Sequence, residues 1–307
     1  MKSKEKTNAS TQKRRDIVFF STILFWPIVT FLVLYVYVNF NMVMLAFKEF
    51  NPVDNKFYFE GFTNFKLFFR DVVADDIMKS SAVNSLVTFL LHIIIGMPIS
   101  ILVSFCVYKN IYFSGFFRVI LFLPSIISSI VWVLIFKYAV EYALPAILQI
   151  EDYVSLLVKP GAVFNTMLFY YLWLGVPGNF VLYTGAMTRV PVTLVEYGKL
   201  DGLKGFKELW YLTIPLIFPT ISVFLVTSVA GIFTNQLNLY AFFGSNAPSE
   251  SYTFGYYFFK IIFGNNASFY SQYPYAAAAG LVFTIIVAPI TLLMRYLLEK
   301  FGPTVEY

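Results

Sequence analysis

"EYGKLDGLKGFKELWYLTIP", residues 196–215, decides how the rest of the chain is read. It carries Glu196, Lys199, Asp201, Lys204, Lys207 and Glu208 and is broken by glycines, yet apolar runs long enough to cross a membrane flank it at about 162–187 and 212–235. Asp201-Gly202 is a turn dipeptide, and Gly202 can take a positive φ without strain. The segment therefore reads as helix–turn–helix, held in water between two spans.

The rest of the chain supports a membrane setting. It is 59% hydrophobic, 20% aromatic and only 13% charged, with mean hydropathy +0.71. A soluble globular chain is about a quarter charged, and a buried soluble core has no need of such long uncharged runs. The net charge of +5 then reports topology, not nucleic-acid binding. Cys106 is the single cysteine, so no internal disulfide forms and a buried structural thiol is expected. The N-terminus "MKSKEKTNASTQKRR" is read as a basic tail ahead of a first span, because the apolar run after it is too long for a leader peptide. The sequons at Asn8 and Asn266 are read as chance matches.

Six spans are expected, at about 17–40, 83–107, 117–140, 162–187, 212–235 and 277–298, all helical because backbone groups in lipid must be satisfied internally. The chain is expected to divide into a cytoplasmic tail (1–16), a first transmembrane helix (17–40), an extracytoplasmic segment (41–81), a core of five transmembrane helices (82–298) and a cytoplasmic tail (299–307). Placing both termini inside puts 14 of the 22 Lys and Arg on the inner side, while ten of the 17 acids fall outside, the bias that the positive-inside rule demands. An amphipathic stretch around 62–78 is expected at the outer interface, and 236–276, rich in Asn, Tyr, Phe and Ser, as a structured outer cap.

Several chemistries have no residues to carry them. No G-x-x-x-x-G-K-[ST] loop is present, so ATP cannot be cradled that way. No Cys/His cluster has metal spacing. His92, the only histidine, is read as a packed core residue, with a proton relay as the alternative. Lys137 and Glu141 are read as a helix-surface i, i+4 pair. No carboxylate lies deep in a span, which argues against an ion-coupled pump. The energy for any transport must then come from a partner.

Against that background, 196–215 resembles the cytoplasmic loop signature of binding-protein-dependent ABC importer permeases: Glu-small-small-x-x-Asp-Gly, nine residues, then Ile-x-Leu-Pro. Here it stands as "EYGKLDG" (196–202), nine residues, and "LTIP" (212–215). The resemblance to the MalF/UgpA-like carbohydrate permease family continues over roughly 80–298. It includes "RVILFLPSIISSIVWVLIFK" (118–137) and "YLWLGVPGNFVLYTGAMTRVP" (171–191), with weaker matches at "GFTNFKLFF" (61–69) and at Asn84. It implies an all-α integral membrane protein with a MetI-like (type I ABC importer permease) core in the bacterial inner membrane. In that family the loop is a coupling helix seated on an ATPase. Glu196, Tyr197, Gly198, Leu200, Asp201, Gly202, Leu203 and Phe206 would make the contact, with Leu200, Leu203 and Phe206 packing and Glu196 meeting basic groups. The family prefers alanine where this chain has Tyr197 and Gly198, so the local fit is expected to differ.

The resemblance also places substrate contacts at Ser125, Ser129, Leu174, Gly175, Gly178, Ser228 and Asn235. Tyr170, Trp173, Asn179, Tyr183, Gln236 and Asn238 are additions, since sugars need hydroxyl, amide and aromatic partners. Helix packing is the alternative for the Ser and Gly positions. The implied partners are a second homologous permease, an ATPase dimer that binds the ATP-Mg, an extracytoplasmic solute-binding protein, membrane lipid and a sugar or oligosaccharide. This chain itself would hold no cofactor and do no covalent chemistry. A permease for amino acids or peptides and a stand-alone secondary transporter remain as alternatives.

Overall fold

In the computed structural model, the backbone is described for residues 2–264 and 269–303 and the side chains for 15–264 and 271–303. The Asn266 sequon thus lies outside the described residues, and the Asn8 side chain outside the described side chains. Helix dominates. Among the described residues, five helical stretches are long and apolar enough to cross a bilayer: Arg15–Leu45, Asp76–Tyr108, Ser129–Leu148, Phe206–Ala230 and Ser271–Phe301. A further helix, α9 (Val163–Met187), has 25 residues, roughly 37 Å at the α-helical rise. Asn165, Thr166, Asn179 and three tyrosines make it more polar than the others.

The remaining helices are α1 (Lys2–Thr30), α2 (Val38–Leu45), α3 (Thr63–Ala74), α4 (Asp76–Leu91), α5 (Met97–Tyr108), α6 (Ser114–Ile126), α7 (Ser129–Tyr138), α8 (Leu144–Leu148), α10 (Val192–Leu200), α11 (Phe206–Glu208), α12 (Ile214–Ala230), α13 (Leu239–Phe243), α14 (Phe254–Phe263) and α15 (Phe269–Phe301). The long stretches are not uniform α-helix. Wide π turns occupy Phe31–Tyr37, His92–Gly96, Ala139–Ala143 and Leu209–Thr213. The last three each end two residues before a proline: Pro98, Pro145 and Pro215. A proline ring clashes with the carbonyl four residues earlier and removes one hydrogen bond. That carbonyl falls inside the π turn every time, where the wider helix makes room for it.

The expected third span, 117–140, is corrected. It is not one helix. α6 ends after Pro124, Ile127 and Ser128 are extended (ψ 138° and 140°), and α7 restarts at Ser129. The 41–81 segment contains an unexpected hairpin, β1 (Lys48–Asn51) with β2 (Lys56–Phe59), antiparallel with Lys48 opposite Phe59. The amphipathic stretch folds as α3.

The chain separates into two compact units, residues 1–68 with 270–281, and 69–269 with 282–307. In the first, Ala46, Ala277 and Ala278 form a small core with Phe47 and Phe65 against it. Asn64 is buried and donates both amide hydrogens to backbone carbonyls, Ala46 at 3.0 Å and Lys48 at 2.8 Å. That pairing satisfies a buried polar side chain and pins the hairpin.

In the second unit α9 packs against α5, α6 and α12. One apolar cluster lies at one end of α9 (Val133, Phe136, Met167, Tyr170, Leu239, Phe242, Tyr256). Another lies at the other end (Met97, Ile101, Phe105, Tyr183, Met187, Val195, Leu209, Leu216). Polar contacts sort the loops between the same two ends. At the first, Asn84 Nδ2 donates to the carbonyls of Glu250 and Tyr252, both at 2.8 Å, and Ser85 Oγ accepts from Phe254 N–H at 2.9 Å. There too the Glu250 carboxylate accepts from Gly161 N–H at 2.8 Å, and Lys137 Nζ donates to the Phe242 carbonyl at 2.7 Å. The expected cap is therefore folded. Lys137 is spent on it and not on Glu141, which lies in a π turn where i, i+4 spacing no longer aligns side chains. At the second end Lys109 pairs with Glu208.

His92 packs beside Tyr171, ring centroids 5.7 Å apart, and against Gly96. Cys106 is free and half-buried, less enclosed than expected.

Candidate functional site: an exposed loop and an open helix break

The opening segment is built by two glycines in left-handed conformations. α10 ends at Leu200, Asp201 follows with near-helical angles, and Gly202 turns the chain at φ +79°. Gly202 N–H then donates to the Lys199 carbonyl at 3.1 Å, and Leu203 N–H to that of Gly198 at 2.8 Å. This paired pattern is the Schellman helix stop, and it needs a residue at ease at positive φ. Gly205 (φ 55°, ψ −121°) makes a second turn that starts α11. The expected second short helix is corrected here. α11 is three residues long and runs through the π turn directly into α12, so the loop is continuous with a membrane span.

Of the eight expected contact residues, Leu200 is 83% exposed and Tyr197 and Phe206 are each 66% exposed. Glu196, Asp201 and Gly202 are also exposed, and Leu203 is half-buried. Gly198 is buried, and a Cβ there would lie 3.2 Å from Leu212 Cδ2 and 3.4 Å from Leu203 Cδ1. It seats α10 on the start of the next span and is not part of the outward surface. Large apolar side chains exposed around a polar loop are a feature that suits an interaction surface.

The expected lining residues fall into two groups. Ser125 and Ser129 flank the extended Ile127–Ser128 link and are exposed; Ser125 Oγ donates back to the Phe122 carbonyl at 2.7 Å. Non-helical backbone at membrane depth is tolerated where it is covered by protein or lines an aqueous cavity, and interrupted helices characterise transport sites. At Gly175 and Gly178 an added Cβ would meet nothing within 4 Å, so neither glycine serves packing inside this chain. Ser228 is half-buried on α12.

The second group is built into the fold. Leu174 packs against the first apolar cluster. Asn235 Oδ1 accepts from Leu237 N–H at 2.9 Å, and its carbonyl accepts from Thr253 Oγ1 at 2.7 Å. Among the additions, Tyr170 and Tyr183 are fully buried, so they are corrected from lining to core. Asn238, at φ 56°, shapes the turn into α13. Trp173 is 42% exposed and stands 5.7 Å, edge-on, from Trp132. Asn179 and Gln236 are half-buried. A cavity of about 590 Å³ between α12 and the end of α15, lined by Phe218, Val223, Arg295 and Glu299 among others, contains none of these residues. Among the described residues no group of His, Cys, Asp or Glu could hold a metal ion.

Sequence reasoning missed Lys109 and the buried role of Glu208. Nothing local marks them, since their pairing joins residues far apart in the chain.

A bundle of long apolar helices, one of them interrupted, with a glycine-turned loop exposed at one end, is the architecture of a multi-pass membrane protein. Residues 96–307 match the family described as "Binding-protein-dependent transport system inner membrane component", and the chain belongs to that family. It is similar to the multiple sugar-binding transport system permease protein MsmF of Streptococcus mutans, 25% identical over 91% of this chain and 95% of that protein. It is also similar to the lactose transport system permease protein LacF of Rhizobium radiobacter, 24% identical over 91% and 90%. Its fold matches a chain of a bacterial ABC transporter involved in the import of the acidic polysaccharide alginate. There the TM-score is 0.76, with 20% identity over 94% of this chain and 98% of that one. A second solved structure, of the alginate transporter with an alginate pentasaccharide-bound periplasmic protein, gives a TM-score of 0.75 at 19% identity over 96% and 99%.

Proposed function

We propose that this chain is a transmembrane subunit of an ATP-driven importer that takes a sugar or oligosaccharide from an extracytoplasmic binding protein and passes it to the cytoplasm. The observation that carries this reading is the exposed loop 196–206. It presents Tyr197 and Leu200 outward on the Schellman-stopped α10, and Phe206 on α11, which runs on through the π turn into a membrane span. A push on Phe206 therefore reaches α12 along helical backbone. A dimeric ATPase is the occupant of the loop surface and itself binds the ATP-Mg, and a second homologous permease completes the pathway. Both termini lie in the cytoplasm. The carbohydrate class is supported by the printed functions of MsmF and LacF. The amino-acid and stand-alone readings have no observation in their favour.

Ser125, Ser129, Gly175, Gly178 and Ser228 are the residues of this chain best placed to line the pathway, because they keep open faces in the isolated subunit. The test is affinity purification of the tagged chain from its native cell in mild detergent. An ATPase and a second permease should accompany it, and Gly202→Val should reduce the ATPase recovered while the chain still inserts. Recovery of the wild-type chain alone, with transport activity retained, would overturn the proposal.

A further inference from the structure

Glu208 is the only charged side chain among the described residues that is fully buried. It lies just past the Gly202 and Gly205 turns, in a segment with several other charges, all of which stay exposed. Its carboxylate pairs with the ammonium of Lys109, the residue that follows α5. Lys109 is itself half-buried, with Nζ 5.7 Å and 5.5 Å from the ring centroids of Phe105 and Tyr108. A charge out of water is tolerated only when it is paired, so wherever Glu208 goes, Lys109 and the end of α5 must follow.

The pair sits at a mechanically informative place. Immediately after Glu208 comes the π turn Leu209–Thr213, which ends two residues before Pro215. Such a turn is the weak point of a helix, because its hydrogen bonds are rearranged and its geometry is wide. A displacement of the loop directed only into α12 must cross that weak point. The ion pair lies before it. The apolar cluster around the pair joins Val195 of α10 and Leu209 to Ile101 and Phe105 of α5, but apolar contact is non-directional and does not fix how one helix is set along another. A directed ion pair does.

We infer that the Lys109–Glu208 pair is a positioning device that carries displacement of the 196–206 loop into the α4–α5 span, in parallel with the direct continuation into α12. The inference rests on the reading of that loop as the ATPase contact. Lys109 and Glu208 touch neither nucleotide nor sugar in this scheme.

Cys106, three residues before Lys109 and the single cysteine of the chain, is a native reporter on α5. The experiment uses the purified transporter complex in lipid. ATP with orthovanadate traps the ATPase, and N-ethylmaleimide modification of the Cys106 peptide is followed by mass spectrometry with and without trapping. In the wild type, trapping should change the modification rate by about 5-fold or more, the low end of ordinary coupling between sites. Glu208→Gln and Lys109→Met should trap as much nucleotide and lose the change, and Glu208→Asp should keep it. If Glu208→Gln does not assemble, Lys109→Gln/Glu208→Gln, which leaves no unpaired charge, makes the same comparison. Full wild-type change in the neutral variants at equal trapping overturns the inference, as does a wild type that traps nucleotide with Cys106 unaltered. Absence of any accompanying ATPase is a separate result. It removes the importer reading, and this inference with it.

Discussion

Gly202 and Gly198 are four residues apart and constrained for different reasons. Gly202 sits at φ +79° with open space around its Cα, so its requirement is purely conformational. Valine there is strained by about 1–3 kcal/mol, whereas asparagine visits the left-handed region readily. Gly202→Asn should therefore keep most sugar uptake and ATPase recovery, and Gly202→Val should lose both while membrane insertion persists. Equal loss in the two variants would show that the turn is not what matters. Gly198 is constrained by space: the Leu212 and Leu203 side chains stand where a side chain would grow. Gly198→Leu should cost about 1–3 kcal/mol by overpacking and appear as less folded protein in the membrane, measured by fluorescence-detected size exclusion. The first constraint is legible in the sequence, because Asp-Gly after a short helix is local chemistry. The second is not, because Leu212 reaches Gly198 only once the chain has turned back on itself.

The same division holds among helices. Span lengths and prolines are readable from composition, but the π turns are not: Pro98, Pro145 and Pro215 each follow one, whereas Pro27, Pro177 and Pro219 stand in ordinary α-helix and the π turn Phe31–Tyr37 has no proline after it. The interruption at Ile127–Ser128 is not readable: "PSIISSIVW" is apolar with small polar residues, and an unbroken helix would have the same composition. The hairpin at 48–59 escapes for another reason, since its alternation is too short to stand out among interleaved aromatics. The lining residues separate by element as well. Ser125 and Ser129 flank the break, while Asn235 is committed to the turn after α12 by its side chain on Leu237 N–H and its carbonyl on Thr253. Ser129→Trp is expected to block uptake severalfold with the complex intact, because it fills an open face without touching the core. Asn235→Ala should instead lower the amount of assembled protein, since it takes away the Oδ1 to which the N–H of buried Leu237 donates, at about 1–3 kcal/mol. Uptake by whole cells, normalised to purified complex, separates the two. Normal specific uptake in Ser129→Trp would remove the break from the pathway.

At the scale of the whole bundle, the proposed direction across the membrane draws on two independent arguments. Within the second unit, polar contacts gather Asn84, Lys137, Gly161, Glu250 and Tyr252 at one end, and Lys109 and Glu208 at the other. That alternation is what four successive crossings between residues 84 and 250 require, and it fixes which loops share a side without saying which side is inside. The distribution of Lys and Arg supplies the sign: Lys109, Arg118, Arg189, Lys199, Lys204 and Lys207 belong to loops of the Glu208 end, which the positive-inside rule places in the cytoplasm. In a Cys106→Ala background, Lys204→Cys should therefore resist an impermeant maleimide in intact spheroplasts and react after permeabilisation. Asp152→Cys, exposed in the loop before α9, should react in both. The reverse pattern would invert the molecule and put the exposed loop out of reach of ATP. Reaction of both residues in intact cells would break the alternation itself, and with it the claim that Lys109 and Glu208 meet on the cytoplasmic side.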